Sequence, residues 1–197
     1  MGEKRPHVIV IGGPNGSGKS TTAPSLLKGS LGVSEFVNAD TIARGLSAFQ
    51  PENVAILAGR ALLKRLKYLA RTRTDFAFET TLASRSFAPW ITGLCRSGYT
   101  FHLLFLWLPS PEFAIARVGE RVRMGGHDIP EETIRRRYRE GLRNFFELYR
   151  PLASSWFFYD NSVGGVPALL ASGAGAGGVV VRDAIIWKQI REKYRGE

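Results

Sequence analysis

Short apolar runs alternate with amphipathic stretches along this chain of 197 residues. Residues Tyr99 to Leu108 are apolar nearly throughout, which is typical of a strand buried on both faces of a parallel sheet. The predicted strands comprise residues 7–13, 35–38, 75–79, 99–108, 156–159 and 179–181. Because strands that alternate with helices form parallel sheets with right-handed crossovers, the pattern predicts a single α/β domain over residues 1–197.

Helical periodicity fills the intervals between these strands. The predicted helices run from Ser20 to Lys28 and Gly29, from Pro51 through Leu69, from Ser86 to Gly98, from Pro111 to Met124, from Pro130 to Leu152, and from Ala184 to Tyr194. One apolar face is expected to bury Val54, Leu57, Ala58, Ala61, Leu62, Leu66 and Leu69. In the helix predicted from Pro130 to Leu152, one apolar face is expected to bury Ile134, Tyr138, Leu142, Phe145 and Tyr149.

A phosphate-binding loop follows the first predicted strand. Gly13-Pro14-Asn15-Gly16-Ser17-Gly18-Lys19-Ser20 reads G-x-x-x-x-G-K-S and is followed by Thr21. A strand, this turn and a helix N-terminus together hold an anionic polyphosphate. Lys19 is expected to reach the β- and γ-phosphates of ATP, and the Ser20 hydroxyl to bind Mg²⁺. The sequence therefore predicts a three-layer P-loop NTPase fold of the nucleotide-kinase type, with a mostly parallel central sheet flanked by helices.

Two carboxylates follow the next strands. Asp40 comes after the second predicted strand and Glu79 ends the third, so both are expected at the edge of the sheet that holds the loop. Asp40 is predicted to take the proton from an attacking hydroxyl, although a helix-capping aspartate is an alternative. Glu79 is predicted to hold Mg²⁺ through water or to bind an acceptor hydroxyl, with contacts from Thr80 and Thr81. A capping role in the following turn is the alternative for Glu79.

Arginines are concentrated in residues 111–140, which are predicted to form a helical lid. Arg117 and Arg121 are spaced to share a helix face, and Gly125-Gly126 separates them from Arg135-Arg136-Arg137. Arginines that close onto the β- and γ-phosphates stabilise the charge of phosphoryl transfer and exclude water. Arg121 is the first candidate for this role, and His127 is expected to make a polar contact in the hinge.

Composition narrows the class of function. The formal net charge of +10 is consistent with a cleft for phosphorylated ligands, with a solvated basic surface or, less well, with nucleic-acid binding. No apolar run is long enough to span a bilayer, no signal peptide is recognisable, and Cys95 is the single cysteine, so a cytoplasmic protein is expected. The chain lacks a guanine-reading Asn-Lys-x-Asp motif and a Leu-Ser-Gly-Gly-Gln signature. A small-molecule kinase remains, with a nucleotide-dependent switch or a nucleic-acid-associated ATPase as the alternative.

With these motifs in view, the chain resembles the zeta toxin family of P-loop kinases. The resemblance rests on residues 12–21, which contain the phosphate loop, and on three further segments: Phe36-Val37-Asn38-Ala39-Asp40, Phe78-Glu79-Thr80-Thr81-Leu82-Ala83-Ser84 and Arg121-Val122-Arg123-Met124-Gly125-Gly126-His127-Asp128-Ile129-Pro130. It implies an ATP- and Mg²⁺-dependent kinase whose acceptor is a hydroxyl of a nucleotide sugar such as UDP-N-acetylglucosamine. It also implies that a small antitoxin protein holds the kinase inactive.

The resemblance also implies roles for individual residues. Asp40 matches the general base, Lys19 the phosphate-loop lysine, Glu79 a substrate-binding glutamate, and Arg121 the first of two lid arginines that bind ATP phosphates. The second lid arginine is left open among Arg123, Arg135 and Arg137. Asp160-Asn161-Ser162 occupies the place where related kinases contact the nucleotide base. This chain is shorter than the well-studied toxins and its lid differs from theirs, which leaves the acceptor undetermined.

Overall fold

The computed structural model describes residues 5–27, 32–126 and 128–194. Its helices pack on both faces of one seven-stranded sheet, as expected for a three-layer P-loop fold. The strands are β1 (His7–Gly12), β2 (Glu35–Val37), β3 (Phe76–Thr80), β4 (Thr100–Trp107), β5 (Ser155–Asp160), β6 (Ala168–Gly173) and β7 (Val179–Val181). The α-helices are α1 (Lys19–Ser25), α2 (Ala39–Leu46), α3 (Ala55–Arg71), α4 (Phe87–Arg96), α5 (Pro111–Arg123), α6 (Glu131–Asn144) and α7 (Ala184–Tyr194).

The strand order is β2-β3-β1-β4-β5-β6-β7. The first five strands of that order are parallel, and β6 and β7 are antiparallel additions at one edge. The carboxyl ends of the parallel strands therefore open onto the same side of the sheet. The phosphate loop follows β1, Asp40 follows β2 and Glu79 lies at the end of β3, so the topology brings these three features together.

The central strand β1 shows why the sheet is buried on both faces. Val8 and Val10 belong to one hydrophobic cluster, whereas Ile9 and Ile11 belong to the cluster on the opposite face. This is the two-residue alternation of a strand between two helical layers. All four side chains are almost completely buried, so β1 is a rigid base for the loop that follows it.

Most predicted elements are confirmed, with three corrections. The strand Ala168–Gly173 was not predicted, because its two leucines are surrounded by small residues and the sequence lacks a strand pattern. Leu57 is 53% exposed although the periodicity of α3 places it on the apolar face. The helix predicted from Pro130 to Leu152 changes form at its end: α6 stops at Asn144, and a π-helical turn (Phe145–Tyr149) and a 3₁₀ turn (Arg150–Leu152) follow.

The structure also tests the predicted burial and ends of the other helices. The five residues of the second apolar stripe, Ile134, Tyr138, Leu142, Phe145 and Tyr149, are all buried as expected. Ser86 immediately precedes α4 but makes no side-chain capping hydrogen bond. Lys28 and Gly29, at the predicted end of the first helix, lie outside the described residues. Within the described ranges, none of the helices combines the length and the apolar composition needed to cross a bilayer.

Two histidines lie at the opposite end of the sheet from the phosphate loop. His7 Nδ1 and His102 Nε2 are 2.8 Å apart, and His102 Nδ1 is 2.7 Å from Ser155 Oγ. Burial lowers the pKa of His102, and the charge of His7 lowers it further. The folded protein therefore holds His102 neutral more firmly than the unfolded chain does.

This pair predicts a loss of stability in weak acid. The pKa of His102 in the folded state is below its ordinary value of 6.5. Neutral His102 therefore stabilises the folded state fully above pH 6.5, and this stabilisation is lost as the pH falls through the pKa of the folded state. We expect the thermal midpoint to fall between pH 7.5 and about pH 5, and to fall less steeply in His102→Gln. Thermal unfolding followed by circular dichroism measures both slopes, and parallel slopes would contradict the assignment.

Candidate active site

The phosphate loop connects β1 to α1 and needs glycine at two close approaches. A Cβ on Gly13, whose φ is +146°, would lie 2.4 Å from the carbonyl oxygen of Leu106. A Cβ on Gly18, whose φ is +78°, would lie 2.7 Å from Asn161 Nδ2. Both contacts are shorter than any side chain tolerates, so only glycine allows this loop to pack against β4 and the segment after β5.

Lys19 lies inside this loop with its ammonium group buried. Its Nζ donates hydrogen bonds to the carbonyl oxygens of Gly13 at 2.9 Å and Pro14 at 2.8 Å. Burial lowers the pKa of Lys19, whereas the carboxylates of Glu79 and Asp40 act in the opposite direction. Those two carboxylates therefore lie close enough to the loop to compensate its buried cation.

The side chains of Ser20 and Glu79 are in contact beside the loop. Ser20 Oγ donates to the Glu79 carboxylate, with distances of 3.0 and 2.9 Å to its two oxygens, and Asn38 Nδ2 donates to Ser20 Oγ at 3.2 Å. Burial raises the pKa of Glu79, and Lys19 and the Ser20 hydrogen bond lower it. A hydroxyl and a carboxylate in contact suit Mg²⁺, which takes few protein ligands and completes its shell with phosphates and water.

The described residues also lack a protein-only metal cage. Within the described ranges, no cluster of three or more His, Cys, Asp or Glu side chains is arranged to hold a metal ion. The Ser17 hydroxyl is fully buried without a hydrogen-bond partner, inside a loop whose glycines leave no room for a Cβ. The unpartnered Ser17 hydroxyl fits a phosphate-bearing ligand held in the loop.

Asp40 is not the cap of the helix that follows β2. The Asn38 side chain has that role, because its Oδ1 accepts a hydrogen bond from the backbone N–H of Thr41 at 3.0 Å. Asp40 lies in the first turn of α2, exposed to solvent. The capping alternative considered for Asp40 is therefore wrong, and its carboxylate is not committed to the backbone.

Asp40 lies in the lining of a cavity of about 850 Å³. Its walls are formed by α2, by the turn that leads into α3, and by the end of α5 with the residues after it. Charged groups in the lining are Asp40, Arg44, Glu52, Arg121 and Asp128. Because Asp40 belongs to the cavity and also acts electrostatically on Lys19, it joins the phosphate loop to the cavity.

The structure separates the arginines of the predicted lid. Arg137 Nη1 is 3.4 Å from Asn15 Oδ1 in the phosphate loop, and Arg137 and Arg121 both act electrostatically on Lys19. Arg135 pairs with Glu112 and is 3.9 Å from Glu131.

The remaining lid arginines point elsewhere. Arg123 is exposed, and Arg117 donates to the carbonyl oxygens of Asn161 at 2.7 Å and Ser162 at 3.0 Å. Of the three candidates for the second lid arginine, Arg137 is therefore the one in contact with the loop. The hinge residue His127 lies outside the described residues.

Helix α6 of the lid is attached firmly to the body of the domain. The Tyr138 hydroxyl donates to the carbonyl oxygen of Leu108 at 2.6 Å, and Asn144 Nδ2 donates to the carbonyl oxygen of Leu82 at 2.8 Å. A Cβ on Gly141 would lie 2.4 Å from the Thr81 carbonyl oxygen. Helix α6 is thus packed directly on the segment that follows Glu79, and no hinge within it is needed to bring Arg137 to the loop.

Thr80 and Thr81 have local backbone contacts. Thr80 Oγ1 accepts from the backbone N–H of Leu82 at 3.1 Å, and Thr81 Oγ1 accepts from that of Ala83 at 3.4 Å. The turn includes Leu82 in the left-handed region, with φ of +57°. Each hydroxyl still has a proton to donate, so the turn leaves a contact with a bound hydroxyl open.

Sequence analysis missed the structural role of Asn161. Its Nδ2 donates to the carbonyl oxygen of Ser17 at 2.8 Å, and the side chain lies against Gly18. Asn161 therefore supports the phosphate loop from β5, across 144 residues of sequence. Asn38 was missed as well, although an asparagine three residues before Thr41 is a recognisable helix-capping signal.

Sequence comparison assigns most of the chain to one family. The AAA_33 model, described as an AAA domain, matches residues 8–145. An uncharacterized protein of Haemophilus influenzae (strain ATCC 51907 / DSM 11121 / KW20 / Rd) is 29% identical over 126 residues, which is 64% of this chain and 88% of that protein.

Solved structures agree on the fold. The AvrRxo1-ORF1:AvrRxo1-ORF2 complex with sulphate ions has a TM-score of 0.73 at 17% identity and covers 95% of this chain, which spans 64% of that chain. The same complex with ATP has a TM-score of 0.71 at 17% identity, with the same coverage of both chains.

A structure from the PezAT chromosomal toxin-antitoxin system of Streptococcus pneumoniae has a TM-score of 0.68 at 16% identity. The match extends over 100% of this chain and over 81% of the chain in that structure. The predicted resemblance to zeta toxin kinases is therefore confirmed at the level of the fold.

Removal of the Asn161 side chain tests its support of the loop. We expect Asn161→Ala to lower the free energy of unfolding by about 1–3 kcal/mol, because a buried carbonyl loses its donor. Asn53→Ala is the control, since Asn53 Nδ2 contacts only the exposed Gln50, and it should change stability by less than about 0.5 kcal/mol. Urea unfolding measures both variants, and equal effects would argue against the support role.

Proposed function

The chain belongs to the AAA_33 family of AAA domains, and on that basis we propose that it is a kinase that transfers the γ-phosphate of ATP to a hydroxyl of a small molecule. The position of Asp40 is the observation that carries this proposal. Its carboxylate acts on the buried Lys19 of the phosphate loop and also lines a cavity large enough for an acceptor. A phosphate donor and an acceptor on either side of one carboxylate is the arrangement that phosphoryl transfer requires.

Residues 13–21 hold the phosphates of ATP in this proposal. The backbone N–H groups of the loop and the N-terminus of α1 provide donors, and Lys19 exchanges its two carbonyl contacts for phosphate oxygens. The Ser20 hydroxyl binds Mg²⁺, with Glu79 acting directly or through water. The metal neutralises charge on the β- and γ-phosphates.

Asp40 is the general base of the proposed transfer. It accepts the proton of the acceptor hydroxyl as the oxygen of that hydroxyl approaches the γ-phosphorus, and it orients the hydroxyl in line. Arg121, at the wall of the cavity, and Arg137, at Asn15, donate to the phosphoryl oxygens, where negative charge is spread during transfer. Glu79 and Thr80 contribute contacts to the acceptor from the end of β3.

The proposed acceptor is a nucleotide sugar, with UDP-N-acetylglucosamine as the first candidate, and the proposed biological role is that of a toxin. Support comes from the shared fold with a structure described as part of a toxin-antitoxin system, and with a complex described as containing ATP. The same likeness supports a small antitoxin protein as partner. A cytoplasmic location follows from this role and is part of the proposal.

The first experiment is ATP consumption with and without UDP-N-acetylglucosamine, with mass spectrometry of the products. A sugar nucleotide heavier by one phosphate is the expected result. ATP turnover without that product would keep the kinase and direct the search to other hydroxyl acceptors. No turnover with any acceptor in a metabolite pool would contradict the kinase assignment and favour a nucleotide-dependent switch.

Asp40→Ala separates the chemical step from ATP binding. We expect phosphoryl transfer to fall by about 10²–10⁴-fold while ATP still binds, because the base is lost whereas the phosphate loop and Lys19 remain. Lys19→Ala should lose ATP affinity as well, and Glu132→Ala, at an exposed acid of α6, should behave as the unmodified protein. Transfer rates and ATP titration calorimetry measure these effects, and an undiminished rate in Asp40→Ala would exclude it as the base.

Arg137 and Arg123 form a matched pair for the second lid arginine. Arg137→Ala should reduce the transfer rate by about 10²-fold or more, because a donor to the transferred phosphoryl group is removed. Arg123→Ala, at an exposed arginine of α5, should have little effect. Single-turnover kinetics compare them, and the reverse order of effects would assign the role to Arg123.

A further inference from the structure

Two highly exposed apolar side chains from different segments of the fold belong to the lining of the acceptor cavity. Phe49, 97% exposed, lies in the turn between α2 and α3, and Met124, 80% exposed, lies immediately after α5. The two residues are 75 positions apart in sequence and belong to different structural segments, yet both line the same cavity. An isolated exposed hydrophobic side chain needs no explanation, but two that converge on one cavity indicate a binding surface.

The rest of the lining gives these side chains space. Alanine occupies five positions of the cavity wall, and two of these, Ala43 and Ala58, belong to the buried core. The volume of about 850 Å³ is near the upper end of the roughly 300–1,000 Å³ of small-molecule sites. The cavity therefore has room for an acceptor with more than one ring, and its polar groups include Asp40 and Arg121 of the proposed transfer site.

The chemistry of the two side chains specifies the group they bind. A phenylalanine ring stacks on flat rings, and methionine adapts its shape and makes favourable contacts with aromatic groups. Neither side chain is covered by the protein, so a ligand placed between them removes apolar surface from water at no cost in lost internal packing.

We propose that Phe49 and Met124 form a clamp for a planar ring, and that the acceptor is a two-part molecule. Its hydroxyl-bearing part lies at Asp40 and Arg121, and its ring lies between Phe49 and Met124. This inference rests on the proposed function and adds a specificity site to it. The clamp selects acceptors by a group remote from the hydroxyl that receives the phosphate.

Equilibrium binding of matched compounds tests the clamp independently of catalysis. One pair is UDP-N-acetylglucosamine and N-acetylglucosamine 1-phosphate, and the other is 4-nitrophenyl β-glucoside and methyl β-glucoside. Within each pair the hexose hydroxyls are the same: the first pair differs by a uridine monophosphate unit, which carries the uracil ring, and the second by a 4-nitrophenyl ring in place of a methyl group. Titration calorimetry is performed on the unmodified protein and on Phe49→Ala, Met124→Ala and Val166→Ala. Val166 is the control, because it is 92% exposed and lies outside the cavity lining.

The expected result is that at least one ring-bearing compound binds about 10-fold more tightly than its partner. Phe49→Ala and Met124→Ala should each remove most of this preference, and Val166→Ala should keep it. Equal binding within both pairs, including absence of binding by all four compounds, would overturn the clamp, as would a preference that survives in both cavity variants.

Phosphate transfer to the same compounds is measured separately by mass spectrometry. Transfer without a ring preference would leave the kinase and remove the clamp. Ring-dependent binding without transfer to any acceptor would leave the clamp and count against the kinase.

Discussion

The buried ammonium group of Lys19 is the constraint on which the site depends. A cation removed from water is costly unless charge and hydrogen bonds compensate it. Two loop carbonyls accept its hydrogen bonds, and Glu79 and Asp40 supply the negative charge. The loop conformation and the positions of both carboxylates are therefore linked, and each carboxylate comes from the end of a different parallel strand or from the helix that follows one.

Helix α6 connects the phosphate loop to the turn that follows Glu79. Its Arg137 approaches the phosphate loop at Asn15, and its Asn144 binds the carbonyl of Leu82, three residues after Glu79. Tyr138, between them, is buried and bonded to the end of the β4 segment. Because these contacts lie on one rigid helix, the distance between the loop and the Glu79 turn is fixed.

The phosphate loop and the cavity lined by Asp40 are constrained differently. The phosphate loop is enclosed by β4 and Asn161, where glycine is obligatory. The cavity beyond Asp40 is lined by the turn after α2 and the residues after α5, whose side chains have no core to pack against. The fold shared at 16–17% identity therefore does not determine which ligand the cavity binds.

The sequence by itself determined the phosphate loop, the alternation of strands and helices, and the placement of Asp40 and Glu79 at one edge of the sheet. These follow from local patterns and from the rule that parallel strands end on the same side. Only the tertiary structure showed that Arg137 rather than Arg135 contacts the loop. Both arginines lie on α6, and they differ in the residue that each one meets: Asn15 for Arg137 and Glu112 for Arg135. The same holds for Asn161, whose contact spans 144 residues, and for the strand Ala168–Gly173, which is specified by its neighbours rather than by its own side chains. Periodicity reports which residues share a face, whereas the identity of the partner across that face is decided by packing.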